Sequence, residues 1–293
     1  MTSPTLTAPH SVRVQRERLV ALETLWPLLQ RELRDSLRNK WFVLYTLAFG
    51  GLAFALAYLA NVGTGLAGMA GFGKTAASLV NLTLLVVPLM AVTMGAVSLS
   101  SERDRGMLGY LLAQPVSRVE VYLAKFLGQG LAFTGAIALG FGVSAAALAR
   151  HGLGDGAVFL RLAGLSVLLA LSLLALGMLI AALARRSTSA MGIAVFVWLA
   201  VTLLGDLGLL GATTFLDLEV RQMLTLSLLN PTQVFKLGSI VGFDATLDLL
   251  GPAGLYAVRT FGDGLSALFV GVLVLWIVVP LSLGALVFAR RPL

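Results

Sequence analysis

The chain has 293 residues, of which 58% are hydrophobic and 12% are charged, and its mean hydropathy is +0.93. Soluble domains carry about 25% charged residues, so this composition excludes an ordinary soluble protein and predicts an all-α polytopic membrane protein. The net charge of +7 comes from basic residues at the ends of apolar runs, which indicates membrane topology and argues against a nucleic-acid partner.

The first 40 residues precede any apolar stretch. Residues 1–12 are rich in Pro, Ser and Thr and are predicted to be disordered. Residues 13–40 have leucines three or four positions apart and basic side chains on the other sides. We interpret this segment as an amphipathic helix in the membrane interface, divided at Pro27. A solvated helix packed on another protein is the alternative.

Residues 41–293 form the predicted transmembrane domain. About 20 apolar residues cross a hydrocarbon layer about 30 Å thick, and six stretches satisfy this length. They are residues 41–60, 79–99, 126–149, 162–184, 190–210 and 265–289. Two long connections separate them: residues 100–125 between the second and third spans, and residues 211–264 between the fifth and sixth.

The placement of lysine and arginine predicts the orientation. Most basic residues fall on one side: the N-terminal helix, Arg103, Arg105, Arg118, Lys125 and the pairs at 185–186 and 290–291. The positive-inside rule makes this side cytoplasmic and places both termini there. We therefore expect a multi-pass protein of a bacterial inner membrane, with residues 100–125 inside and residues 211–264 outside.

Residues 100–125 are the one long charged insertion between two strongly apolar segments. A charge cluster opens at Glu102, and Gly106 is a predicted turn. A short apolar helix then stops at Pro115. Ser117 is predicted to cap the next helix, with Glu120 completing a capping box. We predict that this connection lays a short amphipathic helix on the cytoplasmic face, where a soluble partner pushes.

Two further regions carry helix-packing signals. Small residues recur at every fourth position of the third span: Gly128, Ala132, Ala136, Gly140 and Ser144. Such a face admits another backbone, and packing within the chain is favoured over a dimer contact. In the outer loop, residues 215–229 and 232–241 are predicted helices separated by Asn230-Pro231. We interpret them as in-plane or re-entrant helices on the outer surface, which need protein cover or a wet cavity.

Residues 68–75, GMAGFGKT, satisfy the phosphate-loop pattern G-x-x-x-x-G-K-[ST]. That motif binds phosphate only between a buried strand and the start of a helix. Here it connects two apolar spans, so we predict a flexible loop and no nucleotide site.

Asp206 is the one acid inside an apolar span, and an interfacial carboxylate is favoured over an ion or proton site. Met90 and Met94 share a helix face, where packing is favoured over a copper site. With no cysteine and no catalytic arrangement, we expect no metal site, no catalytic residue and no cofactor in this chain.

The connection at 100–125 resembles the first cytoplasmic loop of type-two ABC transporter permeases. The matching residues are Glu102, Gly106, Pro115, Ser117, Arg118 and Lys125. The resemblance implies a coupling helix that sits in a groove of an ATPase subunit. Closer still are the permeases that serve assembly of the copper sites of nitrous oxide reductase. That similarity spans most of residues 28–291 and includes the 229–232 turn, Gly128-Gln129-Gly130, Gly140-Phe141-Gly142 and Gly242-Phe243.

The resemblance also implies partners. They are a second copy of the chain, a cytoplasmic ATPase dimer that holds ATP and magnesium, and a periplasmic β-helical protein. The residues expected to contact the outer partner are Asn230, Pro231, Phe235 and Phe243. Two alternatives stay open at this point: an exporter of a lipid, glycan or drug with the same architecture, and a membrane scaffold that anchors a periplasmic maturation factor without transport.

Overall fold

The computed structural model describes residues 26–62, 69–107, 117–149, 156–208, 211, 220–241, 260 and 262–290. Every regular element in these ranges is helical, which confirms the predicted all-α class. The helices are α1 (26–38), α2 (Lys40–Val62), α3 (Met69–Asp104), α4 (Arg118–Ala149), α5 (Gly156–Leu183), α6 (Ser187–Leu199, continuing as a π-helix over Ala200–Leu204 and helical to 208), α7 (Val220–Leu228), α8 (Pro231–Val241) and α9 (Leu265–Arg290). A short 3₁₀ turn, Gly262–Gly264, precedes α9.

Six of these helices are long and apolar enough to cross a membrane, as the sequence predicted. The candidate spans are Lys40–Leu59, Ala76–Asp104, Arg118–Ala147, Gly156–Leu183, Ser187–Gly208 and Leu265–Arg290. Several helices extend beyond the apolar stretches: α3 continues to Asp104, and α4 begins at Arg118. A helix satisfies its own backbone hydrogen bonds, so it can continue past the hydrocarbon layer into the polar boundary.

Residues 69–75 correct the prediction made for the glycine-rich segment. They are helical and form the beginning of α3, whereas the sequence pattern predicted a flexible loop. A helix pairs its N–H groups internally after the first turn, so residues 69–75 do not wrap around a phosphate. Residues 1–12, which are predicted to be disordered, lie outside the described residues. So do residues 13–25, the part of the predicted amphipathic helix that precedes Pro27.

Helix α5 lies at the centre of the bundle and packs against α3, α4, α8 and α9. In the most apolar part of this span, 72% of the residues are buried within the protein. Its crossing with α3 is close because Gly95 and Gly177 face each other's helix. A Cβ at Gly177 would lie 2.3 Å from the Val92 carbonyl oxygen, and one at Gly95 would lie 2.6 Å from that of Leu174. Either substitution would force the two backbones apart.

Helix α6 is packed far less than α5. Only 12% of the corresponding window is buried, and large apolar side chains such as Phe196 and Leu203 are exposed. Its neighbours along most of its length are α3 and, to a smaller extent, α5. Helix α6 therefore lies on the outside of the bundle, where lipid or another protein chain can cover it.

The small-residue face of α4 packs within the chain, as the favoured interpretation predicted. A Cβ at Gly128 would lie 2.6 Å from the Glu32 Cβ of α1, and one at Gly140 would overlap the Phe49 ring of α2. Beside these contacts, Phe42 and Phe133 form an edge-to-face pair with ring centres 5.5 Å apart. The close approach brings α1 against α4 and determines which polar groups meet there.

Candidate functional site

The last turn of α3 contacts four other parts of the bundle through three consecutive residues. Successive residues of an α-helix point about 100° apart, so Glu102, Arg103 and Asp104 face three directions. Glu102 faces α4 and α1, Arg103 faces the end of α5, and Asp104 faces the beginning of α6. We call this end of the bundle the charged end.

A buried ion cluster joins three helices at the charged end. The Lys125 ammonium of α4 donates to Glu102 Oε1 of α3 at 2.7 Å and to Glu32 Oε1 of α1 at 2.9 Å. Lys125 and Glu32 are buried, and Glu102 is nearly so. Two carboxylates and one ammonium give this buried cluster a formal charge of −1. Burial raises the pKa of the Glu32 carboxyl, and the nearby Lys125 opposes that rise.

Arg103 and Asp104 complement the ends of two other helices. The Arg103 guanidinium donates to the Ala184 carbonyl oxygen at 2.5 Å, at the end of α5, where helical carbonyls have no internal partner. The Asp104 carboxylate accepts from the Ser187 backbone N–H at 2.8 Å and from the Ser187 hydroxyl. An acid is favourable at this position because the start of a helix carries partial positive charge. The turn between α5 and α6 is thus tied directly to α3.

The connection beyond the charged end begins and ends with the predicted local structure. Gly106 has φ +70°, a left-handed conformation that ends α3 and that a side chain would strain. Glu120 N–H donates to Ser117 Oγ at 3.1 Å, and Ser117 N–H donates to Glu120 Oε2 at 2.8 Å. This reciprocal pair is the predicted capping box. Arg118 is the first residue of α4 and is partly exposed. Residues 108–116, with Pro115 and the predicted coupling helix, lie outside the described residues.

A polar cavity of about 410 Å³ lies beside the ion cluster, between α1, α3 and α4. Its wall includes the three charged residues of the cluster together with Arg31, Arg105 and Gln129. Two buried acceptors in this wall, Glu102 Oε2 and Gln129 Oε1, have no hydrogen-bond donor among the described residues. The cavity therefore has the polarity to hold water that satisfies these groups.

At the opposite end, α8 is docked on the π-helical segment of α6. Single π-helical turns are rare and often lie at functional sites. Here the Val201 carbonyl oxygen accepts from Asn230 Nδ2 at 2.6 Å and from Thr232 Oγ1 at 3.2 Å. Gly205 allows this approach, since a Cβ there would overlap the Asn230 side chain. The predicted break at Asn230-Pro231 is present, and it also fastens α8 to α6.

Asp206, for which the sequence favoured an interfacial carboxylate, pairs with two side chains of α8. Its Oδ1 accepts from Gln233 Nε2 at 2.6 Å and from Lys236 Nζ at 3.1 Å, and the Lys236 pair is exposed. Met90 is buried in the core, and Met94 lies partly buried beside the polar cavity.

The structure places the four predicted outer-contact residues in different settings. Phe235 is fully buried and Pro231 is buried against the protein's own helices. Asn230 is partly buried and bound to Val201. Phe243 lies outside the described residues. Leu226 and Leu229 are large apolar side chains that are exposed near this turn. Phe235 and Pro231 therefore hold α8 in place and do not form its outer surface.

The protein-family model described as "ABC-2 family transporter protein" matches residues 26–293. The chain belongs to this family. It is a multi-pass membrane protein of the ABC-2 permease type, and the predicted resemblance is confirmed. The matched region contains the charged end, the central α5 and the docked α8, so all the geometry described above lies within the family domain.

Two relatives cover nearly the whole chain. A "probable ABC transporter permease protein NosY" from Pseudomonas aeruginosa is 33% identical over 280 residues, which are 93% of this chain and 100% of the relative. A protein of the same name from Stutzerimonas stutzeri is 31% identical over 277 residues, which are 92% of this chain and 99% of the relative. The permease is therefore similar to both along its full described fold.

Sequence reasoning missed several residues of the charged end. Glu32 was assigned only to an amphipathic helix, although it lies three residues after Leu29 and one before Leu33, on the apolar side. An acid at such a position is a signal for a buried partner. The charge cluster that begins at Glu102 gives no indication of what Arg103 and Asp104 contact. Their partners, Ala184 and Ser187, are about 80 residues away along the chain, and no periodicity reveals such a contact.

Proposed function

We propose that this permease is the membrane subunit of an ABC transporter and transmits ATP hydrolysis by separate ATPase subunits to the opposite end of the bundle. One observation carries the proposal. The final turn of α3, directly before the connection at 108–116, contacts α1, α4, α5 and α6 through Glu102, Arg103 and Asp104. A force applied to that connection reaches four helices within one turn.

Helix α6 is the proposed path for that force. One end of α6 is bound to α3 by the Asp104–Ser187 hydrogen bonds. Near the other end, α6 is bound to α8 through Val201 and Asp206. Between these ends few residues of α6 are buried, so little core packing opposes its displacement. We infer that α6 moves as a rod relative to α5 and carries α8 with it.

The proposal includes an orientation and partners. We propose that the charged end and both termini face the cytoplasm of a bacterium, because lysine and arginine concentrate on that side. The connection at 108–116 would then bind a cytoplasmic ATPase dimer, which holds ATP and magnesium, and two copies of the permease would form the membrane part. Catalysis belongs to the ATPase in this scheme.

The opposite end is the proposed docking surface for a periplasmic β-helical protein. Leu226 and Leu229 give this end exposed apolar side chains beside the α7–α8 turn. Asn230, Pro231 and Phe235 would contribute to this surface indirectly, because they hold α8 against the bundle. The motif resemblance and the name NosY of both relatives support a role in assembling the copper sites of nitrous oxide reductase.

The experiment measures movement of α8 and ATPase stimulation together. The chain has no native cysteine, so spin labels can be placed at Leu229→Cys on the α7–α8 turn and Leu160→Cys on α5, both exposed. In the reconstituted complex with its ATPase, ATP and vanadate should change the distance between these labels. Asp104→Ala should abolish most of this change and reduce the stimulation of ATP hydrolysis.

Asp35→Ala is the matched control, because it removes an exposed acid of α1 near the same end. It should retain the distance change and the stimulation. Asp104→Asn, which retains one acceptor for Ser187, should be intermediate. Equal distance changes in Asp104→Ala and Asp35→Ala would contradict transmission through α6. Glu102 is less suitable for this test. Reversing its charge would leave the buried Lys125 without one of its two carboxylate partners and would therefore disturb folding as well.

A further inference from the structure

A groove of about 270 Å³ lies between α5, α8 and α9, away from both the charged end and the α6–α8 contact. It is lined mainly by small or apolar residues. The lining residues that matter here are Arg161, Gly164, Leu168, Ser266 and Phe269. The neighbouring side chains Leu160 and Val274 are exposed on the same two spans, so the groove opens on the outer surface of the bundle. The groove is thus in reach of the bilayer.

The groove is polar at one end and apolar at the other. Arg161 and Ser266 lie near the beginnings of α5 and α9, and both helices begin at the same end of the bundle. Leu168 lies seven positions after Arg161 along α5, which is about 10 Å deeper into the membrane at a rise of 1.5 Å per residue. Arg161 is exposed, and no hydrogen bond or ion pair joins it to another described residue. The Arg161 guanidinium therefore lies near the membrane surface, at the polar end of the groove, and the apolar part of the groove lies deeper in the membrane.

We propose that this groove binds one anionic phospholipid of the surrounding leaflet. The phosphate would pair with the Arg161 guanidinium, which remains charged and forms two hydrogen bonds with phosphate readily. The Ser266 hydroxyl can donate to the same headgroup. An acyl chain would occupy the apolar part between Gly164, Leu168 and Phe269. The order of charge and apolar surface along the groove matches the order of headgroup and chain in a lipid, which argues against a peptide or a soluble anion.

The glycines of the groove determine its shape. A Cβ built at Gly164 meets no atom within 4 Å, so the space above it is open. At Gly238 a Cβ would be in ordinary contact with Phe269 at 3.4 Å and with Leu165 at 3.6 Å. A large side chain at Gly164 would therefore fill the groove without displacing the helices. The bound lipid would contact α5, α8 and α9 together and would stabilise the docking of α8.

The test uses the purified full-length permease with its ATPase, after removal of native lipid by detergent exchange. Dioleoyl phosphatidylglycerol is added in steps, and its apparent affinity is obtained from the rise in Tm and from retained lipid in native mass spectrometry. Gly164→Leu should abolish the saturable rise in Tm and the retained lipid, while its Tm without lipid stays near that of the wild type. Arg161→Gln should weaken apparent affinity about fivefold, the effect of one cation at a membrane surface.

Gly142→Leu is the matched control, since it places the same side chain at an open, exposed position of α4. It should respond to phosphatidylglycerol as the wild type does. Dioleoylglycerol lacks the phosphate and should bind the wild type more weakly than phosphatidylglycerol does. Its affinity should be the same for the wild type and for Arg161→Gln. Equal lipid responses in Gly164→Leu and Gly142→Leu would overturn the proposal. So would a Tm rise with inorganic phosphate that matches the rise with the lipid.

Discussion

Each end of this permease contains a lysine paired with carboxylate, and the two pairs differ in exposure. At the charged end, the side chains of Lys125, Glu32 and Glu102 are 3%, 9% and 15% exposed. At the opposite end, those of Lys236 and Asp206 are 39% and 53% exposed. A buried charge must keep its partner, whereas an exposed pair is hydrated and screened by salt. The same residue types therefore fix the structure at one end and contribute little at the other.

The opposite end is held instead by hydrogen bonds to backbone. Asn230 and Thr232 both donate to the Val201 carbonyl of the π-helical turn, and this contact is less exposed than the Lys236–Asp206 pair. Removing a buried donor from a carbonyl costs more than removing a hydrated ion pair. The comparison predicts that neutralising the lysine will cost much stability at the charged end and little at the opposite end. At the opposite end, substitution of Asn230 should cost more stability than substitution of Lys236.

The largest expected effect is that of Lys125→Met. This change leaves Glu32 and Glu102 buried without their common cation, and breaking such a cluster costs about 3–5 kcal/mol. Tm of the purified permease should fall strongly, or the yield of folded protein should collapse. The double variant Glu32→Gln/Lys125→Met removes one buried negative charge and should recover part of the loss. If Lys125→Met melts at the wild-type temperature, the buried cluster does not stabilise the charged end.

Asn230→Ala should have the second-largest effect. The Val201 carbonyl loses its 2.6 Å donor and keeps only the Thr232 hydroxyl at 3.2 Å. The Thr232 N–H at the start of α8 also loses the Asn230 side-chain oxygen that accepts from it, and the loss of such a helix cap costs about 0.5–2 kcal/mol. Thermal unfolding should show the loss, and hydrogen exchange should increase in α8 before it increases in α5. Leu229→Ala, an exposed neighbour, provides the control and should unfold like the wild type. Unchanged exchange in α8 would mean that the π-helical contact does not hold that helix.

The pH dependence of stability should follow Glu32. Burial raises the pKa of this carboxyl above its ordinary value of 4.5, against the influence of Lys125. A raised folded pKa means that the folded state favours the protonated form. Its contribution to stability is present below pH 4.5 and is lost as pH rises through the folded value. Within that window the free energy of unfolding should fall by about 1.4 kcal/mol per pH unit at most.

The measurement is the Tm difference between Glu32→Gln and the wild type as a function of pH. Because glutamine does not titrate, this difference should grow in favour of Glu32→Gln as the pH rises above 4.5. Asp35→Asn removes an exposed acid of the same helix and should follow the wild-type profile. A difference that stays constant with pH would show that Glu32 titrates alike in the folded and unfolded chain.

The smallest effect should be that of Lys236→Met. The exposed pair with Asp206 is worth less than about 1 kcal/mol, and Gln233 still donates to the carboxylate. Tm should change little, and the small difference from the wild type should vanish at high salt. A loss comparable to that of Lys125→Met would remove the distinction between the two ends.

Local patterns predicted much of the charged end. The capping box of Ser117 and Glu120 and the turn at Gly106 depend on residues within a few positions of each other. The recurrence of Gly128, Ala132, Ala136 and Gly140 predicted close packing on α4, because helix periodicity places these residues on one face. The partner on that face, Glu32 of α1, was not predicted, because a small-residue face has no preference for one neighbouring helix over another.

The sequence by itself determined that this is an all-helical membrane protein with six candidate spans. Apolar length and charge placement act locally and need no knowledge of packing. Only the tertiary structure decided that Lys125 joins two acids from different helices, that Asp104 complements the start of α6, and that Phe235 is buried within the protein. These contacts join residues far apart in the chain, and their geometry is set by how closely the glycine faces allow the helices to approach.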